Sequence, residues 1–523
     1  MTEPKMIEIY DTTLRDGTQG EGISLSCDDK IRIAQSLDAF GIPYIEGGWP
    51  GSNPKDAEFF ERAKSIAWQT AQVVSFGATR RSNTAPEDDE NLRAMLETGT
   101  EYCTVVGKSS VLHVLEVLRT TLDENLSMIT DSLAYLKSKE RQVIYDAEHF
   151  FDAFKVDPAY ALETLRAADS GGARTLVLCD TNGGSMPEEI FTIVQAVREK
   201  VDHPLGIHAH NDTECAVANS LAAVRAGAVH VQGTINGYGE RCGNANLSTI
   251  IPNLELKLGL RTMPNGKLAT LTEVSHFVSE IANLLPDEHM AYVGKSAFAH
   301  KGGIHVAAMR RNADSYQHID PTQVGNQMRV VVSELSGRGN LLSKAEELGL
   351  DTADPSSMTA VLEEIKALEA KGFSFEAAEA SVAMMIRRNS PGYRPAFELI
   401  DYTVTVEHRD RRGMLAEATV KITVDDEVLH TAAEGNGPVN ALDTALRKAL
   451  APIYPSIDDF QLVDYKVRIL NGNDGTGATT RVLIDTRNGH QYWSTVGASA
   501  NIIEASWFAL ADSIEYGLTV AAK

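Results

Sequence analysis

Along the first 260 residues, short apolar β-rich runs alternate with amphipathic stretches of helical period. Eight runs stand out: 6–10, 44–47, 72–76, 102–106, 142–145, 175–179, 205–208 and 230–235. Eight parallel strands with intervening helices predict an α/β fold of the TIM (β/α)8 barrel type, in preference to an open doubly wound sheet. Ser26 is a plausible cap for a helix predicted over 28–40.

Polar residues gather directly after the runs: Arg15-Asp16, Glu46-Gly-Gly-Trp-Pro50, Gly77, Gly107-Lys108, Asp146-Ala-Glu148, Asp180-Thr-Asn-Gly183, His208 to Asp212, and Asn236-Gly-Tyr-Gly-Glu-Arg241. In a barrel these strand ends form the chemical face.

After about Pro264 the pattern changes. Residues 266–390 read mostly helical, with amphipathic segments at 342–348 and 358–371. Asn389-Ser-Pro-Gly392 breaks the chain. Alternating strands follow at 398–407, 416–424 and 427–432, then a helix at 439–450. A weaker copy has strands at 462–469, 479–485 and 490–496 and a helix at 500–514, so the tail is a duplicated βββα unit. The expected organisation is a barrel over 1–265, a helical linker subdomain over 266–392 and an α+β domain over 393–523.

Composition narrows the function. Forty-eight basic against 72 acidic residues give a net charge of −24, with no basic patch for nucleic acid. An anionic substrate must therefore be held by local positive charge. No apolar run is long enough to span a membrane, and residues 1–5 lack the character of a signal peptide. Five scattered cysteines without a C-x-x-C pair point to a reducing cytoplasm, not to a disulfide framework or a thiolate zinc site.

Two stretches carry chemistry. In D-T-T-L-R-D-G-T-Q (11–19), Arg15 is a fork of donors for an anionic oxygen and Asp16 is a hard ligand for a divalent cation. In G-I-H-A-H-N-D (206–212), His208 and His210 are two apart on a strand and project from one face. One carboxylate and two imidazoles at strand ends suit a metal with room left for substrate. Taken alone, Arg15-Asp16 also fits a surface ion pair, and a lone histidine a core position. Cys179 and Cys242 have no paired base, which argues against a nucleophilic role. The glycine pairs match neither a P-loop nor a dinucleotide fingerprint.

These motifs, with G-Y-G-E-R-C-G-N-A (237–245), F-A-H-K-G-G-I-H (298–305) and E-G-N-G-P-V-N-A (434–441), resemble the 2-isopropylmalate, homocitrate and citramalate synthases of the DRE-TIM metallolyase superfamily. The resemblance spans nearly the whole chain. D-G-T-Q-G-E-G-I-S-L-S (16–26) and E-G-G-W-P (46–50) look most like the bacterial citramalate synthase branch, since the other two synthases usually carry Glu at the position of Thr18.

The resemblance implies metal ligands at Asp16, His208, His210 and Asn244, for Mn2+, Mg2+ or Zn2+. Arg15 matches the arginine that steadies the 2-oxoacid oxygens, and Thr181 the threonine that binds its carboxylate. Glu148 matches the catalytic glutamate. His305 and Tyr316 match linker residues that enter the partner subunit's site, although His-Val-Ala-Ala (305–308) departs from the usual H-Q-D-G. The implied reaction is a Claisen-type condensation of acetyl-CoA with pyruvate, then thioester hydrolysis to citramalate, on a threonine-independent route to isoleucine. Glu148 and His305 both stand as candidates for the base. The implied tail is a regulatory, dimer-forming domain, with isoleucine as feedback inhibitor. 2-Isopropylmalate or homocitrate synthesis is the alternative; a non-catalytic amino-acid sensor would require a degenerate barrel site.

Overall fold

The computed structural model describes residues 5–264, 266–334, 336–347, 355–410, 413–470, 472–489 and 491–521. Eight parallel strands close into a barrel in sequential order: β1 (Glu8–Asp11), β2 (Tyr44–Gly48), β3 (Gln72–Ala78), β4 (Tyr102–Lys108), β5 (Gln142–Glu148), β6 (Thr175–Asp180), β7 (Leu205–Ala209) and β8 (His230–Gly233), which pairs back to β1. Most strands run one to three residues further than the apolar pattern predicts. The ladder does not require apolar side chains, and at the C-terminal mouth polar ones continue it. Lys108 and Glu148 are thus the last residues of β4 and β5, and are Cα partners.

The strands are buried because helices cover their outer faces. Ile9, Ile45, Val105, Leu176, Ile207 and Val231 join the helix-facing core, whereas Tyr10, Tyr44, Val74, Ile144, Val177 and Cys179 form a separate cluster inside the barrel. The first covering helix, Cys27–Phe40, starts with a capping box between Ser26 and Asp29 and ends at Gly41 in the left-handed conformation (φ 103°). The helix Leu271–Ile281, with Phe298 and Val324, also packs on the barrel core. The first compact unit accordingly runs to Phe298 and takes in 319–327.

The second unit comprises Ala299–His318 and the chain from Met328. It contains a short parallel pair, β9 (Ala299–His300) and β10 (Arg329–Val330), and the helix Gly303–Arg311. The helices Arg338–Glu347, Pro355–Glu369 and Glu379–Arg388 close around Leu341, Val361, Ile365, Phe375 and Ile386. Leu348, the expected end of one helix, lies outside the described residues.

Two three-stranded antiparallel sheets follow. β11 (Glu398–Arg409), β12 (Gly413–Val424) and β13 (Glu427–Gly435) precede the helix Pro438–Leu450. β14 (Gln461–Ile469), β15 (Thr480–Asn488) and β16 (Gln491–Ser499) precede the helix Ile502–Tyr516. His490, the expected start of the last strand, is not among the described residues. The duplicated units share one core, in which Val420, Leu442 and Leu446 from the first meet Val482, Trp507 and Leu510 from the second. Among the described residues no helix is long and apolar enough to cross a membrane.

Candidate active site

A cavity of about 620 Å³ opens at the C-terminal mouth of the barrel, lined among others by Arg15, Asp16, Asp146, Glu148, Thr181, His208 and His210. Strand register brings these groups together. On each strand every second residue faces inward, so β7 offers His208 followed by His210, β5 offers Asp146 and Glu148, and β8 offers His230 and Gln232.

His208 and Gln232 are Cα partners on adjacent strands, and His208 Nδ1 lies 2.9 Å from Gln232 Oε1. With the carboxamide oxygen as acceptor, Nδ1 carries the proton and Nε2 is left with its lone pair. That nitrogen lies 3.3 Å from His210 Nε2 and 3.5 Å from Asp16 Oδ2. Burial lowers the pKa of both imidazoles, that of His210 to about 4 with its neighbour His208 contributing, so both are neutral near pH 7. Burial alone would raise the Asp16 carboxyl, but Arg15 and the two histidines pull it down to about 2. The donor atoms of Asp16, His208 and His210 all lie within 4.8 Å of one another.

Asn244 reaches this group through its amide nitrogen, which donates to Asp16 Oδ1 (3.1 Å) and to the Tyr238 carbonyl (3.1 Å). Its Oδ1 is buried with no hydrogen-bond partner among the described residues, as is His210 Nδ1. Two neutral imidazoles edge to edge beside an ionised carboxylate and an orphaned amide oxygen make a donor set that fits a divalent cation. The glycine motif gives the loop access to this point. Gly239 has φ 153°, and a Cβ there would lie 2.1 Å from Asn244 Nδ2.

Arg15 is held as a fork. Its Nε donates to Glu46 Oε2 (2.6 Å) and Nη1 to Asp16 Oδ2 (3.0 Å), while the guanidinium carbon lies 3.8 Å from the centre of the Phe76 ring. Nη2 makes no hydrogen bond to the described residues and remains a donor for the cavity. Glu46, fully buried on β2, also accepts from Tyr10 (2.6 Å) and Thr12.

Glu148 Oε2 accepts from Lys108 Nζ, and Glu148 Oε1 lies 3.9 Å from His149 Nε2. Thr181 Oγ1 accepts from the His149 backbone N–H (2.8 Å), which leaves the hydroxyl proton free to be donated. Cys179 is buried inside the barrel and burial pushes its thiol well up, which argues against a thiolate nucleophile; Cys242 is exposed. His305 and Tyr316 belong to the second unit, where their rings stack at 4.2 Å.

Sequence reasoning assigned no role to Glu46, Lys108, Asp146 or Gln232. Asp146 is buried and accepts from Gln232 Nε2 (2.9 Å) across the barrel. Burial, reinforced by Glu46, pushes its carboxyl up to about 8. The signal was present: Asp146 with Glu148, and His230 with Gln232, repeat the two-residue spacing that marked His208 and His210.

Comparison with known proteins adds an independent line. Three family profiles match: HMGL-like over residues 6–278, homocitrate synthase post-HMGL domain-like over 292–372, and LeuA allosteric (dimerisation) domain over 376–518. The chain is 52% identical over 517 residues to the (R)-citramalate synthase of Geobacter sulfurreducens, covering 98% of each chain. It is 53% identical over 533 residues to that of Synechocystis sp., covering 99% of this chain and 97% of the relative. The 2-isopropylmalate synthase of Methanocaldococcus jannaschii is more distant, at 30% identity over 516 residues, with 98% of this chain and 94% of the relative covered.

Proposed function

The chain belongs to the HMGL-like family, in the branch of the (R)-citramalate synthases, and on that premise we infer that it condenses acetyl-CoA with pyruvate to give (R)-citramalate and free CoA. The observation that carries this reading is the convergence of Asp16, His208 and His210 beside Arg15, in one cavity with Thr181 and Glu148.

A divalent ion held by Asp16, His208, His210 and Asn244 would supply Lewis acidity at the ketone oxygen of pyruvate. Thr181 donates its hydroxyl proton to the pyruvate carboxylate. Glu148 accepts a proton from the methyl group of acetyl-CoA, and Lys108 holds one carboxylate oxygen so that the other addresses the substrate. The released electron pair forms the carbon–carbon bond to the ketone carbon, and the carbonyl pair moves onto oxygen. Arg15 Nη2 meets the charge that develops there. Water then cleaves the thioester and releases the CoA thiol. Incubation with acetyl-CoA and 13C-labelled pyruvate should yield labelled citramalate; free acetate and unchanged pyruvate would refute the reading.

Arg15→Lys keeps the charge but cannot bond Glu46, Asp16 and substrate from one plane. Its turnover should fall at least about tenfold, ~1.4 kcal/mol of transition-state stabilisation. Unchanged turnover and an unchanged KM for pyruvate would contradict the role given to the fork.

We assign the active form to a homodimer in which His305 and Tyr316 complete the partner subunit's site. The barrel domain is taken as 1–265, the linker as 266–392 and the regulatory domain as 393–523. The dimerisation profile over 376–518 supports the dimer, and five cysteines without a disulfide fit a cytoplasmic protein. Isoleucine is the expected end-product inhibitor and the tail its receptor. Of the two glycine-rich turns that could offer backbone N–H groups to its carboxylate, at 434–438 and 471–477, Asn471 lies outside the described residues. An inhibitor must bind the low-activity state better than the active one. Deleting the chain from Pro395 should therefore remove inhibition while sparing some catalysis. A truncated enzyme that stays active and is inhibited by isoleucine at the same concentration as the full chain would contradict this.

A further inference from the structure

Five cationic side chains line the barrel cavity: Arg15, Arg80, Arg81, Lys108 and Arg241. Four are already engaged by carboxylates. Arg15 pairs with Glu46 and Asp16, Arg80 with Glu124 and Asp131 (2.7 Å each), Lys108 with Glu148, and Arg241 with Asp212 (2.7 Å) and Glu240 (3.4 Å). Arg81 is exposed and has no ion-pair partner among the described residues.

An exposed arginine is ordinary on a protein surface; the backbone that carries this one is not. Its N–H donates to Asp89 Oδ2 (2.9 Å), and its carbonyl accepts from Arg80 Nη1 (3.2 Å). Asp89 is buried and also caps the helix Glu90–Glu97, and Arg80 is 5% exposed within its two ion pairs. Two residues on, the Asn83 N–H is held by Glu124 Oε1 (2.9 Å). A half-buried ion-pair network centred on the buried Arg80 thus fixes the loop after β3, and the side chain it presents at the cavity wall is a cation with no ion-pair partner among the described residues.

The chain carries a net charge of −24, so its general field opposes a polyanion. Acetyl-CoA bears a diphosphate and a 3′-phosphate far from its reacting acetyl group. We propose that Arg81 is the phosphate anchor of this cavity, binding the nucleotide end of acetyl-CoA while the acetyl end reaches Glu148. This rests on the reading of acetyl-CoA as co-substrate. The guanidinium suits the task because it presents paired N–H donors to phosphate oxygens.

The test uses the full-length Arg81→Gln chain with two acyl donors. With acetyl-CoA, KM should rise at least about tenfold while kcat and the KM for pyruvate stay within about twofold. With acetyl-pantetheine, which has the thioester but neither nucleotide nor the diphosphate, the parent and Arg81→Gln chains should react with equal kcat/KM. In calorimetric titration with CoA alone, the Kd should weaken by the same factor as the acetyl-CoA KM. An unchanged KM and Kd would overturn the proposal, and so would a loss with acetyl-pantetheine as large as that with acetyl-CoA. A parent chain that neither binds CoA nor consumes acetyl-CoA would instead overturn the underlying functional reading.

Discussion

Asp16→Ala and His208→Ala chains are expected to lose at least about a thousandfold in turnover, ~4 kcal/mol, because each removes a donor from the metal site proposed to polarise the ketone. The fold should survive. Both side chains sit at the barrel mouth and neither belongs to the apolar clusters that hold the strands and helices together. Circular dichroism and thermal unfolding should therefore match the parent while elemental analysis shows lost metal. Exhaustive chelation should silence the parent, and a divalent cation should restore it. The histidines add a pH signature. Burial holds the His210 pKa near 4 and lowers that of His208, so both are already neutral in the physiological range. His210 should therefore leave metal affinity undiminished from pH 8 down to about 5 and lower it below that, as its imidazole begins to take up a proton. Full activity in chelated, metal-free protein would contradict the assignment, and a tenfold loss of affinity between pH 7.5 and 6.5 would contradict the neutral imidazoles.

Glu148→Gln should lower turnover by about 10²–10⁴, the range of a lost general base, with little change in the KM for pyruvate. The amide keeps the size and a hydrogen-bonding oxygen for Lys108 but cannot take a proton. A variant within about threefold of the parent would remove Glu148 from the chemistry. The same residue tests subunit organisation. If His305 serves the partner's barrel, inactive Glu148→Ala and His305→Ala chains mixed in equal amounts should recover up to about a quarter of parental activity, since one random dimer site in four carries neither change. No recovery in proven hybrids would place His305 in its own subunit's site, or in none.

The barrel was legible because each strand is a local apolar run and each boundary has local punctuation. The strand ends were less so. The run at 142–145 stops where Asp146 begins, yet β5 continues to Glu148 because the barrel mouth accepts charged side chains into its interior. Reading the strand as finished placed Asp146 and Glu148 in a loop and hid their shared inward face. Gln232 was marked only by its two-residue spacing from His230, and its role becomes readable only when register sets it beside His208.

Asp16, His208 and His210 could be singled out because residue type and spacing state what they can do, and the fold brings their donor atoms within 4.8 Å of one another. Glu46 shows the opposite case. The sequence marks it as a polar residue after a strand, but only the fold shows Tyr10, Thr12 and Arg15 converging on one buried carboxylate. The Arg80 network has the same character, joining β3's loop to residues more than forty positions away. The duplicated tail was visible through its alternation. Its two halves share one core, which requires both copies and so cannot be read from either alone.

The most direct test of the account measures CoA thiol release from acetyl-CoA with pyruvate, 2-oxoisovalerate and 2-oxoglutarate in turn, in the presence of a divalent cation. The account predicts that kcat/KM for pyruvate exceeds that for either longer acceptor by at least about a hundredfold, the order of discrimination available when extra carbons must be excluded from a fitted pocket. Equal or faster thiol release with 2-oxoisovalerate would contradict it and move the chain to 2-isopropylmalate synthesis.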